Sequence, residues 1–273
     1  MRQDTLRVAG HFGELLQGRI GRDGPVALVT LPCPVLGVTA SLAAGQGFAI
    51  TEASAAIIPE ERAVKLLSLL GLSISGRLGF AAEMPPGGGA GVSTAALVAL
   101  AGLAGWQGEP MALARACIAV EGASDPLMLP LPSQTLWASR HGDILATLPL
   151  PPEMEVIGGF FGPPRRTDPR DMDFPDIADL IPQWQDGCAA RDLPRIAALA
   201  SLSASRTLAH RGAQSDPIAS LAADLGALGY VIAHTGAARG LIFAPGEVPQ
   251  HASVALQAAG LRGILQFRAG GGR

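Results

Sequence analysis

The chain has 273 residues, 48% apolar and 16% charged, with a formal net charge of −3. That length can bury one large core or two ordinary ones, and the slight acidity with dispersed arginines argues against a nucleic-acid surface. No run of about 18 apolar residues could span a membrane and the opening residues lack a secretory pattern, so neither membrane nor nucleic acid is an expected partner and a cytoplasmic protein is expected.

In chain order, residues 6–10 read as a first strand leading into a glycine-bounded segment, 13–18. Residues 26–31 and 35–42 read as two strands separated by Pro32 and Pro34, which suit edges or turns. Residues 47–51 suggest a further short strand. Pro59-Glu60-Glu61-Arg62 opens a helix that Gly71 stops. Lys65, the single lysine, falls on the polar face of that helix. Residues 72–82 alternate as a strand, a glycine-rich loop follows, and a helix runs to about Gly105. Residues 110–120 form a second helical pattern, 121–132 a loop, and 134–138 with 143–148 a hairpin around His141-Gly142.

Leu148-Pro149-Leu150-Pro151-Pro152 is the strongest boundary signal and divides the chain into 1–150 and 151–273. Beyond it, 155–161 reads as a strand and 162–182 as a surface loop or lid. Residues 193–208, 218–228 and 252–259 read as helices, and 231–234, 241–244 and 263–267 as strands. That order fits a ferredoxin-like layer.

The chemistry concentrates in Pro85-Pro86-Gly87-Gly88-Gly89-Ala90-Gly91-Val92-Ser93-Thr94. Glycines permit positive φ and close approach of a ligand to the backbone. The following helix start offers unpaired N–H groups and the positive end of a dipole, which together attract anions. Ser93 and Thr94 add hydroxyls where a phosphate or its metal would sit. A nucleotide triphosphate is the natural ligand; a flexible, closely packed turn is the other reading. No lysine follows the glycines, so this is not the common G-x-x-x-x-G-K-[ST] loop, and the spacing is not that of the dinucleotide fingerprint. The three cysteines lie far apart and the five histidines are scattered without ligand spacing, so a protein-held transition metal is not expected. An odd cysteine count suits a reducing compartment.

The loop resembles motif 2 of the GHMP small-molecule kinases, P-x-x-x-G-L-G-S-S-A-A, through Pro85, Gly89, Gly91, Ser93 and Ala95. His11-Phe12-Gly13-Glu14-Leu15-Leu16-Gln17-Gly18, continued by Leu28-Val29-Thr30-Leu31-Pro32, resembles the opening of one branch, the propanediol-utilization and cobalamin-associated L-threonine kinases. That branch's version of motif 2, P-x-G-x-G-x-x-S-S-T-A, agrees at Pro85, Gly87, Gly89, Ser93, Thr94 and Ala95. Ala233-His234-Thr235-Gly236 with Gly240-Leu241-Ile242-Phe243 resembles the late A-H-S-G…G-L-L-F stretch. Glu121-Gly122-Ala123-Ser124-Asp125 resembles E-P-T-D with one residue added.

The resemblance implies an α+β fold in two parts, a ribosomal-S5-like N-terminal half and a ferredoxin-like C-terminal half. It implies ATP and Mg²⁺ as cofactors, with a small hydroxylated acceptor, L-threonine in this branch. Pro85, Gly87, Gly88, Gly89, Ala90, Gly91, Ser93 and Thr94 become nucleotide-binding candidates. Ser93 and Glu121 become magnesium ligands, although an N-cap and a solvated helix end are their plainer readings. Asp125 is the candidate base toward the acceptor hydroxyl, against an Asx turn before Pro126. Glu14 and Gln17 are candidates to bind an ammonium or hydroxyl of the acceptor, against a turn-stabilising hydrogen bond. His234, Thr235 and Gly236 would complete the site from the second half, against a core histidine. Val92 stands where a serine is usual, Gly88 where some relatives carry lysine, and Ala96 where some carry aspartate. Losing a fixed charge there would cost several kcal/mol of transition-state stabilisation; Arg239 is a candidate to replace it. Two other functions stay open: a kinase of another small alcohol such as homoserine, and a degenerate relative that senses nucleotide or metabolite.

Overall fold

The computed structural model describes residues 4–212 and 215–271. Its elements run β1 (Thr5–Arg19), β2 (Val26–Ala43), β3 (Phe48–Ile50), α1 (Glu60–Leu69), β4 (Gly76–Ala82), α2 (Val92–Leu103), α3 (Pro110–Glu121), β5 (Thr135–Ala138), β6 (Asp143–Thr147) and β7 (Met154–Phe160). They continue α4 (Leu180–Ala189), α5 (Leu193–Arg211), α6 (Ile218–Asp224), β8 (Gly229–Ile232), β9 (Ala238–Phe243), α7 (Ala252–Ala258) and β10 (Arg262–Ala269). One sheet takes them in the order β10-β7-β9-β8-β1-β2-β4-β3, with β5 and β6 branching from β2. The pairings are antiparallel except β3 with β4. This is a mixed α+β architecture.

The two long strands depart from the sequence-based expectation. β1 continues from Thr5 through the whole Gly13–Gly18 segment, so Glu14 and Gln17 stand on a strand and not in a turn. β2 is a single strand where two were expected. Its pairing with β1 jumps from Ala9↔Gly37 to Gly10↔Cys33, so residues 34–36 bulge out and Pro34 needs no ladder hydrogen bond. A second register shift surrounds Gly13, whose φ of 71° admits the bend.

α2 is buried nearly all round and packs on β1 and β2, which explains its almost unbroken apolar sequence. α4 was not expected: Pro182 and Gly187 disguise it. The proline sits in the first turn, where a missing N–H costs nothing, and Trp184 and Cys188 lie four apart on the buried face. α6 ends at Asp224, short of the expected 228, because Gly226 takes a positive φ of 67°. A second apolar cluster joins α6 and α7 to the β7–β9 face through Ile157, Ile218, Leu241 and Leu256. The proline-rich stretch near 150 is the extended link between β6 and β7. The halves on either side of it meet in the sheet where Glu14 of β1 pairs with Ile232 of β8.

All three cysteines are buried free thiols. Burial pushes Cys33 and Cys188 up to about 12 and Cys117 higher still, so none is a reactive thiolate. Among the described residues no helix is long and apolar enough to cross a membrane.

Candidate active site

The glycine loop is stitched to both halves of the molecule. Gly89 and Ala90 carbonyls accept from Gly13 N (3.4 Å) and His11 N (3.1 Å) of β1. The Gly88 carbonyl accepts from both Ala237 N and Ala238 N at 2.9 Å, and Gly87 O accepts from Arg165 N at 2.9 Å. With these carbonyls turned into the protein, the loop delivers the open N–H groups of the first turn of α2 to a cavity. Gly87, Gly89 and Gly91 all take φ near 75°. A Cβ at Gly89 would lie 2.3 Å from the Ala233 Cβ, and one at Gly91 2.7 Å from the His11 ring. Gly91 is the N-cap residue of α2, so Ser93 lies inside the helix and is not the cap.

The cavity, about 280 Å³, is lined by the loop and α2 on one side. The end of α3, the Ser124-Asp125 loop, the β5–β6 hairpin and residues of 165–169 and 234–235 complete it. Residues 165–169 therefore wall one side of the site, where Arg165, Arg166, Thr167 and Pro169 line it. The segment that carries them is held by Arg19 N donating to Pro175 O (2.8 Å), Ile177 N donating to Arg19 O (2.9 Å) and the Thr167–Thr235 hydroxyl pair (2.8 Å).

Two groups of polar side chains stand out on its walls. In the first, the Ser93 hydroxyl donates to Glu121 Oε1, which also receives Arg62 Nη1 at 3.1 Å. Burial raises the Glu121 pKa, and the Ser93 hydrogen bond and Arg62 charge only partly offset this. In the second, the buried His11 ring links two carboxylates: Nε2 lies 3.3 Å from Asp125 Oδ2, and Nδ1 faces Gly13 O (3.3 Å) and Glu14 Oε1 (3.5 Å). Both nitrogens meet only acceptors, so the ring carries both protons. Burial alone would lower the His11 pKa, but the charge of Asp125 reverses that and raises it. Burial would raise the Asp125 pKa, yet the His11 charge and hydrogen bonds from His11 and Thr94 hold it below the ordinary value. Glu14 is pushed up by burial, which its His11 contact only partly opposes. The state is one imidazolium, one carboxylate and one neutral acid. These three are the one group of metal-ligating residues among the described residues close enough to share an ion. Because the ring meets the two carboxylates through opposite nitrogens, it stands between them as a shared ion-pair partner.

Asp125 is positioned from three elements. Thr94 on α2 contacts its Oδ2 (3.4 Å) and accepts from its N–H (3.3 Å). Trp137 Nε1 holds Ser124 O at 2.7 Å, and Ser124 N donates to Ser139 O at 2.9 Å. The carboxylate thus engages His11 and Thr94.

Of the sequence candidates, Gly87, Gly89, Ala90, Gly91, Ser93, Thr94, Glu121, Asp125, Glu14, His234 and Thr235 meet at this cavity. Gln17 does not: it is fully buried below it, its N–H donating to Ser203 Oγ (2.9 Å) and its Nε2 to Ile232 O (3.3 Å). Pro85, Gly88 and Gly236 lie behind the lining; Gly236 permits close packing, since a Cβ there would sit 2.3 Å from Gly89 N. Arg239 is not a free charge for a phosphate, because Asp216 Oδ2 takes its Nε at 2.7 Å away from the lining. Lys65 donates to Ala119 O on the α1–α3 surface. Sequence reasoning missed His11, Arg62, Arg140, Arg165 and Arg166. His11 stands beside the Gly-Glu motif and Arg165-Arg166 is the chain's conspicuous arginine pair, but Arg62 and Arg140 carry no local signal.

No protein-family model matches the sequence, and no curated protein is significantly similar to it. Solved structures do match in shape. Mevalonate kinase of L. major in complex with R-mevalonate has a TM-score of 0.68 at 13% identity, covering 98% of this chain and 97% of that one. Homoserine kinase from Cytophaga hutchinsonii has a TM-score of 0.61 at 17% identity, covering 98% and 95%. A 4-(cytidine 5'-diphospho)-2C-methyl-D-erythritol kinase has a TM-score of 0.61 at 20% identity, covering 98% and 100%. These neighbours are kinases of the GHMP superfamily, and the chain has their two-part α+β fold along nearly its whole length.

Proposed function

We propose that this protein is an ATP-dependent kinase that phosphorylates the hydroxyl of a small, amino-acid-like acceptor. Residues 1–150 form its ATP-binding half and 151–273 the half that completes the acceptor site. The observation carrying the reading is the meeting, at one cavity, of an N–H-rich glycine loop, a Ser93–Glu121 oxygen pair and a His11-held Asp125 carboxylate. The fold shared with small-molecule kinases supports it. L-Threonine, in cobalamin side-chain synthesis or propanediol utilization, is the acceptor to which the sequence resemblance points; homoserine fits the same chemistry. The cytoplasm, as a reducing compartment, suits three unpaired thiols.

The donor set fits a magnesium ion. Ser93 Oγ and Glu121 Oε1 already touch, both are hard oxygens, and the buried carboxylate is incompletely neutralised by Arg62. Ser93 and Glu121 would hold the ion, which would supply positive charge to offset that of the phosphates. The first-turn N–H groups of α2 bind the phosphates. Asp125 accepts a hydrogen bond from the acceptor hydroxyl and takes its proton as the new O–P bond forms and the bond to the β-phosphate oxygen breaks, leaving ADP. His11 holds that carboxylate ionised and aimed. Arg165, whose backbone N–H donates to Gly87 O and which lines the cavity, brings positive charge near a loop that lacks lysine.

An ADP-release screen with Mg²⁺-ATP against hydroxylated metabolites, including L-threonine, L-homoserine and mevalonate, tests the reading. Acceptor-dependent ADP release is the expected result. Nucleotide binding without release for any acceptor would favour the sensor.

A further inference from the structure

We infer that the acceptor carries a carboxylate and that Arg140 with His234 forms its binding subsite. The subsite deepens the kinase reading and rests on it for the ligand's identity as acceptor.

Arg140 stands on the cavity wall just after β5. Its Nη1 donates to Ser139 Oγ (2.6 Å) and its Nη2 to the Asp171 carbonyl (3.4 Å), while Nε is buried with no partner. No carboxylate among the described residues lies within ion-pair distance of it. Asp171, the nearest candidate, gives its Oδ2 to Arg211 at 2.5 Å. Asp171, Asp125 and Asp168 act on its charge from a distance but none accepts from the buried Nε–H, and an unmet buried charged donor is costly, which favours an anionic acceptor there.

His234, which is 8% exposed, faces the same cavity with both ring nitrogens unpartnered. Its plane is fixed by stacking on Phe174, centroids 3.9 Å apart at 16°, and Phe174 is flanked by the Arg211 and Arg140 guanidiniums at 4.3 and 5.5 Å. Burial and those two arginines keep the imidazole neutral, so it offers one N–H donor and one acceptor nitrogen. The free donors are then the Arg140 Nε–H and one imidazole N–H, which match the two oxygens of a carboxylate. Arg140 lies near enough to both Asp125 and His234 for its charge to be felt at each. A ligand anchored there can present a hydroxyl to Asp125.

The test uses the full chain and three variants, Arg140→Gln, Arg140→Lys and His234→Asn, with folding checked by circular dichroism. Calorimetry with a non-hydrolysable ATP analogue and Mg²⁺ present measures binding of L-threonine, L-homoserine, L-serine and mevalonate. L-Threoninol, which replaces the carboxylate by an alcohol, is the control. The expected result is carboxylate-dependent binding weakened at least about 30-fold in Arg140→Gln and less in Arg140→Lys and His234→Asn, with the analogue's own affinity unchanged. Steady-state turnover should show the same loss as a rise in KM. L-Threoninol binding as well as L-threonine, no binding of any carboxylate by the wild type, or unchanged binding in well-folded Arg140→Gln would overturn the subsite. Absence of ADP release with intact, Arg140-dependent carboxylate binding would instead count against the kinase reading alone.

Discussion

A single imidazolium buried between two carboxylates can neutralise only one of them. At the cavity floor His11 does so for Asp125, and Glu14 keeps its proton. The stability of the protein therefore depends on pH in a definite direction. In the unfolded chain His11 titrates near 6.5, and in the fold its pKa is raised to about 9. The stabilisation is present in full below 6.5 and is lost as pH climbs through about 9; the raised Glu14 pKa has the same sign, because the fold again holds the extra proton. Melting temperature should fall between pH 6.5 and 9 in ligand-free protein, and His11→Gln should flatten that slope; equal slopes in the two proteins would contradict the assignment. On the catalytic side, Asp125→Asn should lower turnover by about 10²–10⁴-fold while the melting shift given by an ATP analogue persists. That Asp125 stands at the cavity was legible in the sequence as an acid following Glu121. Its partner was not, because nothing local in Gly10-His11-Phe12 says which distant loop the imidazole will meet. Arg140 escaped notice for the same reason: an unpaired guanidinium is a property of packing, not of spacing.

Between loop and helix, the sequence was most informative where glycines were required. The start of α2 and its loop follow from positive-φ positions that other residues fill poorly. The structure adds a cost: a Cβ at Gly89 or Gly91 collides with Ala233 or His11, so Gly89→Val should destabilise the fold as well as abolish nucleotide binding, by far more than a surface change. Denaturant titration of the variant separates the two effects. Ser93→Ala has the opposite profile. Since Gly91 occupies the cap, the loss of about 1 kcal/mol typical of an N-cap serine is not expected. Metal-dependent turnover should drop, and normal turnover at every Mg²⁺ concentration would remove Ser93 from the metal site. β2 and α4 were illegible for related reasons. Prolines that ordinarily punctuate elements are absorbed here by a bulge and by a first helical turn, and Gly187 lies buried within α4.

Across the whole molecule, the glycine loop touches β1 on one side and the turn before β9 on the other. A nucleotide in this loop bears on contacts contributed by both halves. An ATP analogue at 100 times its Kd should stabilise the protein by about 2.7 kcal/mol, read as a rise in melting temperature. No shift with any purine nucleotide at millimolar concentration would remove the nucleotide site. The overall fold was legible mainly through family resemblance, since strand order in a ten-stranded sheet depends on non-local pairings that periodicity does not encode. The pairing of Glu14 with Ile232 carries a consequence for biosynthesis. Until β8 has left the ribosome, the second edge of β1 has no neighbour, and Gln17 still lacks the Ser203 and Ile232 groups that satisfy it. A nascent chain therefore carries β1 paired on one edge alone until β8 emerges, which leaves that edge open to mispairing in the meantime.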